Sequence, residues 1–265
     1  MTSRARAVAF GAVLGGAVAV VAVLNVGESR FGWGVAASAL TSLFTTLAGW
    51  LAVVMLIRAA AGEIKEGRRP WVLLAAGCAC LSVGQTLGFY VEVITRAGPR
   101  GLWPVNILLL AGYGLIVGGL IAKARRLFGT RLNVWQGVAL ALVVIAFGAA
   151  FVFLGTKLAA EGSAMPAIAI ALTLAFPAVD FVIVLLAVYI AATFAGGVAG
   201  RPWFAIAGGV ILAAVSDAAG IITALERYGQ PSAAGAPIWS LLAFASVTFI
   251  IWGAWYQRLL WDESA

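Results

Sequence analysis

The sequence predicts an all-α fold: a polytopic membrane helical bundle of about eight transmembrane helices, built as two parallel four-helix repeats. The chain is 63% hydrophobic and only 10% charged over 265 residues. Apolar runs of about 20 residues, enough to cross a bilayer as a helix, recur along all of it. An open sheet would leave its backbone unpaired in hydrocarbon, and the runs are too long for barrel strands. The chain is therefore expected to be a single integral membrane domain, residues 1–265.

Eight apolar segments follow one another along the chain. Their expected bounds are 6–25, 35–59, 71–94, 103–122, 134–156, 166–194, 202–223 and 237–256. The first follows Arg4 and Arg6 as a signal peptide would, but it is long for one and lacks a clear cleavage site, so we expect a retained helix. The third and seventh follow Arg-Pro, which predicts proline at the first helical position and tryptophan anchors at headgroup level.

The basic residues predict the orientation. With the N-terminus inside, twelve Lys and Arg lie on the cytoplasmic side and five lie outside. Because cytoplasmic loops carry the basic excess, both termini are expected in the cytoplasm of a bacterial inner (plasma) membrane. The net charge of +7 is then explained by topology, with the lipid bilayer and its anionic headgroups as partner. No soluble basic face with interleaved aromatics exists, so no nucleic-acid partner is predicted.

An internal repeat is predicted from the Arg-Pro-Trp at 69–71, which recurs at 201–203, an offset of 132 residues. Over the twenty positions compared from Arg69 onward, seven are identical at this offset. Four segments separate the two matches, so both halves would enter the membrane in the same direction. The pseudo-repeats would be about 1–128 and 129–265.

Polar residues inside apolar segments are the candidate functional residues, because burying them in lipid is costly. Thr173, Pro177 and Asp180 share one helix face. Because Pro177 has no backbone N–H, the carbonyl of Thr173 lacks its helical hydrogen-bond donor. At the offset of 132, Gln85 corresponds to Asp217. The predicted ligand-binding residues, expected to line a cavity that opens outward, are Gln85, Glu92, Asn106, Tyr113, Thr173, Asp180 and Asp217. Asp180 has no basic residue near it along its segment, so we expect it to keep its proton unless water or a cation reaches it.

Packing alternatives remain for several of these residues. Glu92 could be solvated at the membrane edge beside Arg96. Asn106 could cap the fourth helix. Gln85 and Asp217 could be hydrogen-bond partners with a packing role only.

The residues that are missing exclude several cofactors. The chain has no histidine, so His-ligated haem, His-ligated chlorophyll and a His-containing zinc site are disfavoured. Schiff-base retinal is disfavoured because Lys65, Lys123 and Lys157 all lie at segment ends or in loops. Cys78 and Cys80 are two residues apart on one helix and cannot readily bridge each other. The cofactor is unknown, and no metal site is predicted.

Two aspartates on consecutive segments are similar to the pair of intramembrane aspartyl proteases, in which two carboxyl groups share a proton. However, Asp217 lies in Val-Ser-Asp and not in the Gly-x-Gly-Asp context of those enzymes. The segment bounds also place Asp180 deeper than Asp217 by ~12 Å at 1.5 Å per residue. No catalytic residue is therefore predicted, and the chain is expected not to be an enzyme.

Four short motifs carry a resemblance to a known family: Arg69-Pro70-Trp71, Gly84-Gln85, Phe176-Pro177-Ala178-Val179-Asp180 and Ser216-Asp217. Their spacing resembles the multi-helix bacterial membrane sensor modules found upstream of GGDEF diguanylate cyclase domains, over about residues 45–257. That family commonly has an aspartate where this chain has Gln85, and the 265 residues contain no GGDEF domain. The resemblance implies a sensing or ligand-binding scaffold without cyclase activity.

Together these features predict a non-catalytic membrane protein of sensor or ligand-binding type. It would bind a small or lipophilic ligand in an outward-facing intramembrane cavity and act through partner chains. One alternative is a proton- or cation-coupled small-molecule transporter. Another is an accessory subunit of a larger membrane complex that binds pigment, quinone or lipid.

Overall fold

Eight helices make up the described part of the chain. A computed structural model describes residues 3–31, 34–90, 103–127, 133–161, 167–195, 197–198, 200–226 and 238–264. The helices are α1 (Ser3–Phe31), α2 (Gly34–Gly62), α3 (Lys65–Phe89), α4 (Trp103–Ala124), α5 (Val134–Glu161), α6 (Ala167–Thr193), α7 (Gly200–Glu226) and α8 (Ile238–Ser264). Each contains a stretch long and apolar enough to cross a membrane. The chain is therefore a multi-pass integral membrane protein with an all-α fold, as its composition predicts.

Several helices extend beyond the apolar segments because polar residues continue them past the hydrocarbon. α3 begins at Lys65 and α7 begins at Gly200, so Pro70 lies in the second turn of α3 and Pro202 is the third residue of α7. Neither proline lies at the predicted first helical position. The start of α5 is fixed by a reciprocal cap. The Gln136 backbone N–H donates to Asn133 Oδ1 over 2.9 Å, and the Asn133 backbone N–H donates to Gln136 Oε1 over 2.7 Å.

The helices pack as two closely joined pairs with further helices around them. α3 lies against α4, and α7 lies against α8. α2 bridges α3 and α8, whereas α6 bridges α7 and α4. α1 packs on α2 and α8, and α5 packs on α6 and α7. α5 is the most peripheral: only 6% of its span is buried, against 39% for α2 and α7.

Two tryptophans pack against each other within the core. Trp71 and Trp203 are fully buried, and their ring centroids lie 5.0 Å apart. Trp71 Nε1 donates to Glu63 Oε1 over 3.1 Å, and Lys123 Nζ lies 5.1 Å from the Trp203 ring centroid. The expectation that these tryptophans anchor the protein at the headgroups was wrong. Arg-Pro-Trp indicates a helix start near the membrane edge, but it does not predict whether the tryptophan side chain faces lipid or protein.

Small residues let the paired helices approach backbone to backbone. A Cβ atom added to Gly77 would lie 2.7 Å from the carbonyl oxygen of Gly112, on α4. A Cβ atom added to Gly209 would lie 2.8 Å from the carbonyl oxygen of Ser246, on α8. Real Cβ atoms do not come this close, so glycine is required at both crossings.

A second crossing in each pair repeats this arrangement. A Cβ atom added to Gly119 would lie 2.9 Å from the Pro70 carbonyl oxygen, and one added to Gly253 would lie 2.7 Å from the Pro202 carbonyl oxygen. The residues of α3 correspond to those of α7 at an offset of 132, and the residues of α4 correspond to those of α8 at an offset of 134. The α3–α4 interface and the α7–α8 interface therefore use equivalent positions.

Candidate ligand-binding cavity

A cavity of about 120 Å³ lies among α2, α3, α4, α6, α7 and α8. We call it the central cavity. Its polar lining residues are Ser82, Gln85, Tyr113, Asp180, Ser216, Asp217 and Ser246. Small and aliphatic side chains complete the wall. At ~30 Å³ per water molecule, the volume suits about four waters or one small solute.

Tyr113 and Asp217 form the polar link between α4 and α7. The Tyr113 hydroxyl donates a hydrogen bond to Asp217 Oδ2. The Tyr113 ring packs edge-on against Phe176 of α6, with 5.8 Å between the ring centroids. Gly112, immediately before Tyr113, lies at the close α3–α4 crossing, which brings this part of α4 near the centre of the bundle. The local sequence thus places a hydroxyl donor at the cavity wall.

Asp180 is the most deeply buried acid of the site. Its side chain is 3% exposed, and within the described part of the chain its Oδ2 atom has no hydrogen-bond partner. It borders the central cavity and also a second, mainly apolar pocket of about 70 Å³ between α5, α6 and α7. A buried polar atom left unpaired costs about 1–3 kcal/mol. This oxygen therefore favours an occupant that can bind to it.

The charged groups that line the central cavity indicate which charge a bound ligand would carry. Two carboxyl groups, those of Asp180 and Asp217, border it, and of the described residues in its wall none is basic. Uncompensated negative charge is expensive in a low-dielectric interior. The arrangement therefore suits protons, a cation or hydrogen-bond donors, and it disfavours anions.

Serines contribute polar atoms that the sequence analysis missed. Ser216 Oγ donates to the Trp239 carbonyl over 2.7 Å and ties α7 to α8. Ser82 lies so close to α2 that a Cβ atom added to Gly49 would be 2.6 Å from its Oγ atom. The available signal was spacing, since Ser82 lies three residues before Gln85 and so on the same helix face. Serine is common in transmembrane helices, which makes that signal weak.

Four of the seven predicted ligand-binding residues meet at the central cavity: Gln85, Tyr113, Asp180 and Asp217. Asn106 lies seven residues before Tyr113 on α4 but is not among the described residues that line the cavity. Thr173 lies in α6, where its side chain is outside the described part. Glu92 lies outside the described residues altogether.

Measured from the helix ends, the two aspartates differ less in position along the membrane normal than the expected segment bounds predict. Asp180 is 13 residues from the start of α6, and Asp217 is 9 residues from the end of α7 (180 − 167 and 226 − 217). At 1.5 Å per residue the difference is about 6 Å, because α7 ends three residues later and α6 begins one residue later than the expected bounds. Depth therefore does not argue against a carboxyl pair. The sequence context of Asp217 still differs from that of the aspartyl proteases.

The cavity wall contains pairs of positions related by fixed offsets. These pairs are Gly49 and Asp180, Ala52 and Ile183, Cys78 and Val210, Leu81 and Ala213, Gln85 and Asp217, Tyr113 and Val247, and Ile116 and Ile250. The offsets are 131 between α2 and α6, 132 between α3 and α7, and 134 between α4 and α8. The wall thus repeats in position, whereas both carboxyl groups come from α6 and α7.

Within the described ranges, no three His, Cys, Asp or Glu side chains lie close enough together to hold a metal ion. No protein-family model matches the chain, and no characterised protein and no solved structure is similar to it. The function therefore has to be argued from the central cavity.

Proposed function

We propose that this integral membrane protein binds a small cation, or a small cationic solute, in the central cavity and acts as a non-catalytic sensor or ligand-binding scaffold. The observation that carries the proposal is the buried, unpaired Oδ2 of Asp180. Asp217 adds a second carboxyl group to the same cavity, and none of the described lining residues supplies a positive charge. A bound cation would compensate the carboxylates and satisfy the unpaired oxygen.

The cavity volume narrows the class of ligand. Pockets for drug-sized molecules measure ~300–1,000 Å³, whereas the central cavity measures about 120 Å³. A quinone or pigment would not fit, so the volume favours a small polar ligand over the lipophilic one also considered from the sequence. The small volume also argues against an accessory subunit that would bind a quinone or pigment inside the bundle.

A signal would arise from the position of the site between helices. Asp180 belongs to α6, Asp217 to α7, and its partner Tyr113 to α4. A cation bound by both carboxyl groups would draw α6 toward α7 and compete with Tyr113 for Asp217. A partner chain that contacts these helices would respond to the change. The resemblance to sensor modules of the GGDEF-associated class supports this role.

A proton- or cation-coupled transporter is the second candidate, and the paired offsets favour it. The matched interfaces support a parallel repeat with its axis along the membrane normal, and secondary transporters bind their substrates at such repeat interfaces. Flux of a small cation into proteoliposomes, abolished by Asp180→Asn, would favour this candidate over the scaffold. Binding without flux would favour the scaffold.

The proposal places both termini in the cytoplasm of the bacterial inner membrane, because of the twelve-to-five distribution of basic residues. Single cysteines at Gly62 or Gly129, in a chain lacking Cys78 and Cys80, should be shielded from an impermeant thiol reagent in intact cells. Cysteines at Gly98 or Ser232 should be labelled. Labelling of all four from outside would refute this topology.

The decisive test is ligand-dependent stability of the full chain in mild detergent. Unfolding would be followed by tryptophan fluorescence at constant ionic strength, with sodium, potassium, ammonium, methylammonium or guanidinium replacing choline. A ligand at 100 times its Kd stabilises the folded state by about 2.7 kcal/mol. At least one small cation should raise the midpoint in the wild type and not in Asp180→Asn.

Glu66→Gln is the matched control, because Glu66 is an exposed acid in the first turn of α3 and far along the helix from the cavity residues. It should respond to the cation as the wild type does. If every cation behaves like choline, or if Asp180→Asn keeps the response, the central cavity is not a cation site.

A further inference from the structure

A third cavity lies at the end of the bundle where α1 begins and α2 ends. It measures about 460 Å³ and is formed by three helices. Its lining residues are Arg6, Met55, Arg58, Ala61, Trp255, Arg258 and Leu259. We call it the arginine pocket. One arginine comes from each of α1, α2 and α8, and none of the described lining residues is acidic.

A pocket lined by three arginines has a positive potential that favours an anion. Arginine presents a planar fork of N–H donors that matches phosphate oxygens two at a time. Arg6 and Arg58 are exposed, so a ligand can reach the pocket from the headgroup layer or from water. The apolar side chains of Met55, Trp255 and Leu259 could lie against the alkyl part of an amphipathic ligand.

Packing of α1 against α8 holds the pocket together. The Phe10 ring lies 4.4 Å from the Trp255 ring, centroid to centroid, one turn beyond Arg6. Toward the other end of α1, Ser240 Oγ donates to Asn25 Oδ1 over 2.9 Å. α1 is thus docked at both ends, and Arg6 faces Arg58 and Arg258 as part of a defined wall.

The corresponding positions elsewhere in the bundle carry different residues. At the offsets that relate the halves, Arg58 corresponds to Tyr189 and Arg258 corresponds to Ala124. The Tyr189 hydroxyl donates to the Leu127 carbonyl over 3.3 Å, and Ala124 is buried. The arginines are therefore not a consequence of the shared scaffold. They are specific to the junction of α1, α2 and α8.

We propose that the arginine pocket binds a phosphate group, carried either by an anionic lipid headgroup or by a soluble phosphate compound. Arg58 and Arg258 hold the phosphate oxygens, and Arg6 closes the pocket from α1. The site is separate from the central cavity and does not depend on the function proposed for it. It couples the packing of α1 to the phosphate content of the surroundings.

The test uses the full chain in a non-ionic detergent with three probes: short-chain phosphatidylglycerol, phosphatidylcholine of equal chain length, and inorganic phosphate. Saturable binding of phosphatidylglycerol is expected, weakened about tenfold or more in Arg58→Gln because charge-assisted bonds are lost. Arg58→Lys keeps the charge without the fork and should lie between the two. Arg125→Gln, an exposed arginine just after α4, is the matched control and should bind as the wild type does.

The probes separate the two sources of phosphate. Inorganic phosphate that competes with the lipid assigns the site to the phosphate group itself, whereas lipid binding without competition assigns it to a headgroup. Three results would overturn the proposal: equal binding of phosphatidylcholine, equal binding by Arg58→Gln and Arg125→Gln, or no saturable binding of any probe. Because Arg58 is exposed, its replacement is expected to leave the fold intact.

Discussion

The α3–α4 pair and the α7–α8 pair are packed in the same way but carry different chemistry. Gly77 meets Gly112 as Gly209 meets Ser246, with a backbone oxygen at the crossing in both pairs. At the cavity wall, however, Gln85 of α3 stands where Asp217 stands on α7. Positions that set the helix distance are sterically constrained in both pairs, whereas several positions that face the cavity carry different residues. Function is therefore expected where the pairs differ.

The largest effect is expected from the tryptophans that join the two pairs. Trp71→Ala and Trp203→Ala each empty a fully buried site and should cost about 3–5 kcal/mol of unfolding free energy. Their double mutant should show a coupling of about 0.5–1.5 kcal/mol from the lost ring contact. Unfolding by SDS in mixed micelles measures all three. Trp135→Ala, at a residue 80% exposed on α5, is the control and should change stability by less than ~0.5 kcal/mol.

A smaller effect is expected at the glycine crossings. Gly77→Ala and Gly209→Ala should each destabilise the protein by about 1–3 kcal/mol, because the added methyl group meets a backbone oxygen that cannot rotate away. Gly114→Ala has nothing within 4 Å and should be neutral or slightly stabilising. The same unfolding assay applies. A large loss at one crossing and none at the other would show that the two interfaces are not energetically equivalent.

The smallest effect on stability is expected at Asp180 of α6, which corresponds to Gly49 of α2 across the cavity wall. In choline buffer at neutral pH, Asp180 should keep its proton, because no basic residue among the described lining residues compensates its charge. Asp180→Asn should then change the unfolding free energy by less than ~0.5 kcal/mol, since an amide replaces a neutral acid of similar shape.

Infrared spectroscopy checks the protonation state directly. A protonated-carboxyl stretching band in the wild type should be lost or reduced in Asp180→Asn. If the wild type shows no such band and the substitution unfolds the protein, Asp180 is a paired structural charge. Both the sensor and the transporter role of this residue would then fail.

Composition and run length were sufficient to predict eight helices, because lipid leaves few other ways to satisfy a backbone. The site was only partly predictable. Four site residues could be predicted because polar side chains stand out in apolar helices: Gln85, Tyr113, Asp180 and Asp217. Periodicity predicts which face of a helix a residue occupies, but it does not predict which helix packs against that face. The Tyr113 bond to Asp217 spans 104 residues, and nothing local encodes it.

The buried tryptophans show the same limit. Trp71 and Trp203 have the sequence context of lipid-facing anchors, yet both are buried between helices. Whether a residue at the membrane edge faces lipid or protein depends on which helices surround it, and that is decided by the close approaches at glycine. The position of Asp217 along α7 differs from the expected one for a simpler reason, since α7 continues three residues beyond the expected apolar segment.

The contact between the Trp71 and Trp203 indoles also has a spectroscopic consequence. Two identical chromophores held 5.0 Å apart, with ring planes inclined by 40°, are close enough for their electronic transitions to mix. The protein should therefore show an exciton couplet in circular dichroism that neither tryptophan would give alone. That signal would report whether the two helix pairs remain joined, without any label and in any membrane mimic.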